Sequence, residues 1–295
     1  MKKTRLTKLI AGALVLASII GVNPVGAYAA QTAAGKTGST MTSMDTTPES
    51  DFTFDSSTGT ITEYNGRDNI VNIPKTINGV TVKAIGYLAF GYHYNLSSVT
   101  IPDSVTKIDI SAFAVCEGLT SVKLPSSLTT LGYGAFSACG SLQSITIDSS
   151  NNYFTSVNGV LFNKTKTKLI YYPVGNKSTS YTIPSTVTTI GADAFANSNL
   201  VSVTIPSSVT SIEDFAFYYC MKLNSVNIPN GVRTIGKNAF ESNGKLTSVT
   251  LPASITSIGD YAFSDCGNAN FYVKNATIKQ LVINAGADSS KITIR

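Results

Sequence analysis

The sequence predicts a repeat solenoid, mostly β with minor α. An Ala-Phe pair recurs at Phe90, Phe113, Phe136, Phe195, Phe217, Phe240 and Phe263, in steps of 23, 23, 59, 22, 23 and 23 residues. An alternating strand pattern ends at Ile73, Ile101, Leu124, Ile147, Ile183, Ile205, Ile228 and Leu251, and every one of these except Ile147 is followed by Pro. Charged residues make up only 13% of the 295-residue chain, so the pattern is carried by apolar and small polar residues. A fixed period near 23 residues marks units that bury a core only by stacking.

One period, Leu246 to Cys266, reads LTSVTLPASITSIGDYAFSDC. Leu246, Val249 and Leu251 alternate as inward residues of a short strand. Pro252 cannot donate to a strand ladder and ends it. Ile255 and Ile258 point inward again, and Gly259 opens a turn. Asp260 to Phe263 leaves room for a single helical or 3-10 turn. Roughly eight inward residues per coil close into a core only when coils pile up.

The remaining elements follow in chain order. Residues 1–29 read as a secretory signal peptide, with a basic start (Lys2, Lys3, Arg5, Lys8), an apolar run from Leu9 to Val22 and an Ala27-Tyr28-Ala29 cleavage site. The apolar run is too short to anchor in a bilayer and is broken by Asn23-Pro24, and no later stretch is long enough to span one. Residues 30–50 are rich in Thr, Ser and Gly and are expected to be a disordered linker. Residues 51–79 carry irregular strand-like runs that suit an N-terminal cap, and the repeats occupy about 80–273. An insert at about 148–180 interrupts them. Within it Val160-Leu161-Phe162 and Leu169-Ile170-Tyr171 flank a Lys/Thr turn and read as a hairpin, expected to bend the arc or project from it. Residues 274–295 form a C-terminal cap, with Asn275 capping a short helix that Gly286 ends and Lys291 to Arg295 as a last strand.

The repeated L-x-x-V-x-I-P-x-S-V-x-x-I-G-x-x-A-F-x-x-C unit resembles the BspA-like class of leucine-rich repeat over about residues 70 to 273. The resemblance implies an arc with a concave parallel β-sheet. It also implies a secreted or surface protein of the kind found in bacteria and some protozoa, several of which adhere to host or microbial proteins. It names no ligand.

Enzyme chemistry is not legible. The single histidine, His93, occupies a slot that later coils fill with Cys, and no neighbouring motif suggests an activated nucleophile. The four cysteines show no zinc spacing, phosphate-binding glycine motifs are absent, and acidic residues are sparse and unpaired. No catalytic residue, metal or cofactor is expected. Four of the 22 basic residues fall in the first 30, and the rest of the chain balances 18 basic against 17 acidic residues. Such a surface gives no electrostatic argument for nucleic acid, and no membrane insertion is expected after signal cleavage. Cys116, Cys139, Cys220 and Cys266 share one slot in the period. Adjacent coils place Cys116 and Cys139 about 5 Å apart, within disulfide reach, but parallel side chains make poor bridge geometry and buried free thiols fit better.

The outward strand positions form two columns: Ser98, Ser121, Ser144, Ser202, Ser225 and Ser248, then Thr100, Lys123, Thr146, Thr204, Asn227 and Thr250. They suit close-packed strands and also offer a broad polar docking face. Interfaces favour aromatic anchors, and the candidates outside the consensus are Tyr92 and Tyr94, Tyr218 and Tyr219, and, in the insert, Tyr171 and Tyr172 beside Lys164, Lys166 and Lys168. The insert is the favoured ligand site, because it breaks the repeat without an evident packing reason. The reading is a secreted, non-enzymatic binding protein, retained at the surface by non-covalent contacts. The expected partner is a host or microbial surface or extracellular-matrix protein, with a glycan as the other partner class. The alternative is a structural spacer or surface-layer component.

Overall fold

A computed structural model describes residues 46–295. The signal peptide and residues 30–45 of the expected linker lie outside the described residues. The linker's last residues belong to the fold instead: Thr47 is 1% exposed. Its N–H donates to the Asn72 carbonyl at 3.1 Å, and its hydroxyl accepts from the Asn72 N–H at 2.9 Å.

The chain winds into a parallel solenoid in which each regular coil carries two short strands. The Ser-Val strands (Ile70–Asn72, Ser98–Thr100, Ser121–Leu124 and Ser144–Ile147) form a four-stranded sheet. A six-stranded sheet continues the same face from Ser180–Thr182 to Ile292–Ile294. The second strand is only two residues long, as in Lys107–Ile108 or Ser211–Ile212, and pairs in register with the next coil, Ile108 opposite Leu131 and Ile212 opposite Ile235. Two residues show no alternation, which is why the period reads there as inward isoleucines and not as a strand.

Between the second strand and the Cys slot the chain bends around the Ala-Phe pair. The residues two before and two after each Phe take left-handed backbone: Ser111 (φ 55°) and Val115 (φ 65°) around Phe113, Phe215 (φ 59°) and Tyr219 (φ 55°) around Phe217. Short-range bonds tighten the turn, with the Ala112 N–H donating to the Asp109 carbonyl at 3.3 Å and the Ala114 N–H to Ser111 at 2.9 Å. The alternation aims the Phe N–H at the next coil. Phe113 donates to the Ala135 carbonyl at 2.8 Å and Phe217 to Ala239 at 2.7 Å. The Phe rings are fully buried and stack down the axis. Their centroids are 4.8 and 5.5 Å apart from Phe90 through Phe136, and 4.9, 5.0 and 5.5 Å apart from Phe195 through Phe263. Tyr64 caps the first stack, 5.2 Å from Phe90, and Phe271 closes the second edge-on, 5.1 Å from Phe263.

The insert does not project. Phe154–Val157, Val160–Asn163 and Lys168–Tyr171 form an antiparallel trio that joins the second-strand sheet through Lys168–Tyr171. Two apolar cores meet here. Phe154, Leu161 and Tyr171 belong to the first, and Val160, Phe162, Leu169 and Tyr172 to the second. Neighbouring residues of one strand therefore serve opposite cores, helped by a register shift between Leu161 and Phe162. Buried Asn151 pins the entry. Its amide donates to the Ser126 and Leu128 carbonyls at 2.9 and 2.8 Å, and its carbonyl accepts from Tyr153 and Phe154 at 2.8 Å each. At the far end the helix Ala276–Asn284, capped by the Asn275 side chain on the Ile278 N–H at 2.9 Å, covers the last coil.

Truncating one ring in the stack removes contacts on both of its faces. Phe217→Ala is expected to cost about 3–5 kcal/mol in urea unfolding. Tyr261, 59% exposed at a left-handed position (φ 59°), should tolerate Gly. There relief of roughly 1–2 kcal/mol of backbone strain offsets the roughly 0.5–1 kcal/mol entropy cost of Gly, leaving the variant neutral or slightly more stable.

Candidate functional site

The recurring cysteine has a structural task. The Sγ–H of Cys116, Cys139, Cys220 and Cys266 donates at 3.1 Å to the carbonyl of the Phe in the preceding coil: Phe90, Phe113, Phe195 and Phe240. Asn243 fills the same slot and donates to the Phe217 carbonyl at 3.0 Å. Ser198 reaches Cys220 Sγ at 3.4 Å. The four thiols are free and buried. Burial pushes Cys139 well above the usual thiol range, Cys220 to about 11 and Cys266 to about 12, so these three carry no thiolate nucleophile at neutral pH. His93 turns Nδ1 to its own coil's Phe90 carbonyl at 3.1 Å and packs its ring 5.0 Å from Tyr64.

The favoured anchors of the insert are part of the joint. Tyr171 is buried, and its hydroxyl donates to the Phe136 carbonyl at 2.7 Å, in place of the thiol that a next coil would supply. Its ring meets Phe136 edge-on at 6.0 Å, while buried Tyr172 stacks on Phe195 at 5.3 Å. These tyrosines cap the two Phe stacks and are not surface anchors. Tyr218 is also buried, packed on Phe215 at 5.6 Å. Lys164 reaches back to the Ser149 and Asn151 carbonyls, and Lys168 is paired with Glu213 at 2.7 Å. Exposed Lys166 sits at the turn (φ 57°). Tyr92 and Tyr219 are half-buried, and Tyr94 is 46% exposed. A deletion of residues 153–173 would therefore remove core from both halves, and would read out folding and not binding.

The two outward columns lie on the Ser-Val sheets. Ser98, Thr100, Ser121, Lys123, Thr146, Ser202, Thr204, Ser225 and Asn227 are exposed, and Ser144, Ser248 and Thr250 are half-buried. The columns are split in two, because the turn of the inserted hairpin sits against Ser144–Ile147, where the Ile145 N–H donates to the Gly159 carbonyl at 2.9 Å. The second half is longer than the consensus suggests. Ser180 and Thr182 begin it, and Asn270 and Tyr272 extend it, Ser248 opposite Asn270 and Thr250 opposite Tyr272. Arg295 lies 3.3 Å over the Tyr272 ring, giving the polar face an aromatic-cationic end.

A second feature escaped sequence reasoning. From Leu131 to Phe136, and from Ile190 to Phe195, five residues lead from the second strand to the ring. In the insert only three lead from Leu169 to Tyr172, although Leu169 pairs with Ile190 and the Tyr172 N–H donates to the Ala194 carbonyl as a Phe would. The shortened turn leaves a notch of about 330 Å³ between its neighbours. Gly132, Tyr133 and Gly134 wall one side and Gly191 and Ala192 the other, with Ile170 and Tyr171 between and Lys168 and Glu213 beside them. The count of residues between strand and ring was the available signal.

Asp193 follows Ala192 in sequence but does not itself line this notch; it is 3% exposed, and its Oδ2 has no hydrogen-bond partner. Burial first, and then the charge of Asp214, push its carboxyl up to about 7. Its charge in turn helps hold Tyr133 and Tyr171 above the usual phenol range, after burial, and contributes to the shift of Tyr218 to about 12. Among the described residues no three or more His, Cys, Asp or Glu gather to hold a metal ion, and no helix is long and apolar enough to cross a membrane.

A family model described as BspA type Leucine rich repeat region matches residues 83–178 and 171–293, in six copies. The solved structure of the pneumococcal vaccine antigen PcpA is 26% identical, with a TM-score of 0.58 over 77% of this chain and 67% of that one. A leucine rich cell surface protein from Faecalibacterium prausnitzii is 28% identical, with a TM-score of 0.53, and the match spans 74% of this chain and 62% of that one. A leucine-rich repeat protein from Eubacterium ventriosum, 24% identical with a TM-score of 0.51, shares the fold. No match is found among curated proteins.

The sign of the Asp193 contribution is set by its raised carboxyl. The folded state holds the proton more tightly than the unfolded chain, so stability is lost as pH rises from about 4 through about 7. Asp193→Asn, with Asp214, Tyr133, Tyr171 and Tyr218 left in place around it, is expected to flatten this slope. It should be more stable than the parent at pH 8 by an amount on the order of 4 kcal/mol, with little difference at pH 4, measured by urea unfolding.

Proposed function

The chain belongs to the BspA type leucine-rich repeat family, and from that premise we propose that it is a secreted or cell-surface binding protein without enzymatic activity. In this reading it docks a host or microbial surface protein on the outward columns of the Ser-Val sheets. The observation that carries the reading is the exposed, in-register polar face from Ser180–Thr182 to Asn270–Val273, which ends in Tyr272 and Arg295. A rigid parallel sheet presents such side chains with little ordering left to lose on binding, which favours a broad shallow contact. The aromatic-cationic end supplies the kind of anchor that interfaces concentrate on. A pneumococcal vaccine antigen and a cell surface protein among the similar structures support the surface location.

One feature favours the spacer reading. The last strand, Ile292–Ile294, is the edge of its sheet and Ile294 is 48% exposed, an edge that end-to-end self-association would cover.

The test is a solid-phase screen of residues 30–295 against extracellular-matrix proteins, microbial surface proteins and glycans. Saturable binding to a protein is expected. It should weaken about tenfold or more when Tyr272→Ala and Asn227→Glu are combined, with the melting temperature held, since losing one anchor and adding a repulsive charge typically costs more than about 1.4 kcal/mol. Concentration-dependent self-association with no ligand in the screen would favour the spacer.

A further inference from the structure

We propose that the notch at the joint, with the tyrosine column that leads into it, is a binding cleft for a linear, neutral, β-linked glycan of the cellulose or chitin type. The cleft lies on the second-strand side of the coils and shares no residue with the Ser-Val face. Its first support is the column. Ile85, Ile108 and Leu131 stand opposite one another in the ladder. Two residues on from them stand Tyr87, Ile110 and Tyr133. Tyr87 and Tyr133 are each 37% exposed, and Ile110 between them is half-buried. The two tyrosines are therefore two sheet spacings apart, about 10 Å. An extended β-linked chain of pyranoses advances by about that length per disaccharide, so alternate sugars meet a tyrosine. The C–H face of a pyranose packs on such a ring, and the phenol hydroxyl can bond to the sugar's rim.

The second support is the notch itself, a cavity of about 330 Å³ with Tyr133 in one wall and Gly191 and Ala192 in the other. A chain stacked on the column runs into it without a break. Its lining carries backbone groups that the joint leaves over. The Ile108 carbonyl accepts from the Gly132 N–H, and the Leu169 carbonyl from the Gly191 N–H, both at 2.8 Å. The Leu131 carbonyl, at the edge of its sheet, accepts from no backbone N–H, and the Gly134 N–H donates to no backbone carbonyl. Leu131 and Gly134 both line the notch. A sugar hydroxyl can serve an acceptor and a donor alike. The third support is charge. Lys168 and Glu213 are closed in a pair at 2.7 Å, and Glu213 also accepts from the Ala192 N–H at 2.9 Å. A trough of about 570 Å³ shares Ala192 and Glu213 with the notch and continues over the Ser211, Thr234 and Ser257 positions. There the Asp214 carboxylate accepts from the Lys237 N–H at 2.7 Å. Two basic residues, Lys168 and Lys237, thus stand against three acids, Glu213, Asp214 and Asp260, which disfavours an anionic polymer and suits a neutral one rich in hydroxyls. A peptide would need strand pairing, and the free edge here, Thr130–Leu131, is only two residues long.

The probes are cellotetraose and tetra-N-acetylchitotetraose. Maltotetraose is the curved, α-linked comparator, a heparin tetrasaccharide the anionic one, and an acetylated Thr-Val-Thr-Val peptide the extended polypeptide. Each is titrated into the 30–295 chain by calorimetry, with saturation-transfer NMR reading which sugar protons touch the protein. At least one β-linked tetrasaccharide should bind saturably at one site, in the millimolar range or tighter, with its ring C–H protons saturated. Tyr133→Ala should weaken binding at least tenfold and Tyr133→Trp should keep it, with the melting temperature of both held. Tyr87→Ala should weaken the tetrasaccharide several-fold. Tyr272→Ala combined with Asn227→Glu should leave it unchanged, so failure at the Ser-Val face and failure here are read separately. The assignment is overturned by an absence of saturable binding to both β-linked probes, by equal affinity for maltotetraose, by tighter binding of the heparin fragment or the peptide, or by parent-like binding in Tyr133→Ala.

Discussion

The structure depends on a match of two lengths. Parallel strands repeat at about 4.7–4.9 Å, and the buried Phe rings repeat at 4.8 to 5.5 Å, near the same interval. One ring per coil can therefore stack on the next without stretching either ladder. The Ala before each Phe is buried alongside the rings, and the left-handed residues two before and two after turn the backbone so that the Phe N–H meets the next coil. The Phe carbonyl is then left inside the wall and needs a donor from one coil on. Cys, Asn and, at the joint, the Tyr171 hydroxyl supply it. These are chemically unlike groups with one geometric requirement in common, which explains why the slot varies while the Ala-Phe pair does not.

A stack of this kind has ends, and ends expose a ring face. The 59-residue step between Phe136 and Phe195 exceeds two periods by about 13 residues, so the second stack cannot simply resume on the first. The joint solves this with adjacent residues. Tyr171 turns into the first core and Tyr172 into the second, and each terminates one stack. The same junction breaks both sheets. Thr130–Leu131 is the edge of its sheet, as is Ser144–Ile147 of the other. Cohesion across the joint rests on apolar contact from Phe154, Leu161 and Tyr171 and on a few bonds, among them Asn151 to Ser126 and Leu128 and the Gly175 N–H to the Leu142 carbonyl at 2.7 Å.

The repeat unit, its inward residues and the polar columns were legible because a solenoid states each position several times over. The second strand was not, since two residues carry no period. Tyr171 and Tyr172 looked like free anchors because the insert has no counterpart in the other coils, and the packing role of a residue in a unique segment leaves no repeated trace. Both rings also carry a polar handle, which disguises a buried role. Ser180, Thr182, Asn270 and Tyr272 were missed at the margins, where the consensus weakens but the ladder continues. The notch was within reach of counting, as the three residues from Leu169 to Tyr172 against five in the regular coils show. The burial of Asp193 was not, because the position two before Phe holds Leu, Ser, Gly, Asp, Phe, Asn or Tyr and so predicts no burial.

That variability bears on how the joint should be understood. Left-handed backbone tolerates Asp and Asn better than most residues, so an Asp at this position is cheap while it faces water. At Asp193 it does not: the side chain is buried, and its N–H is committed to the Asp214 carbonyl at 3.1 Å. Ser111, Phe215 and Asn238 make the same backbone bond to the next coil, whereas Leu88 and Gly134, the latter on the far side of the notch, make none. The joint therefore brings a buried unpartnered carboxyl and an interrupted ladder close to a coil that is two residues short, as the N-terminal cap is from Ile61 to Tyr64. Either departure alone reads as a packing compromise of the splice. Together they leave a small cleft with an aromatic wall, while buried polar atoms without a partner occur in other coils too, at Ser104, Ser111, Ser137 and Asn243.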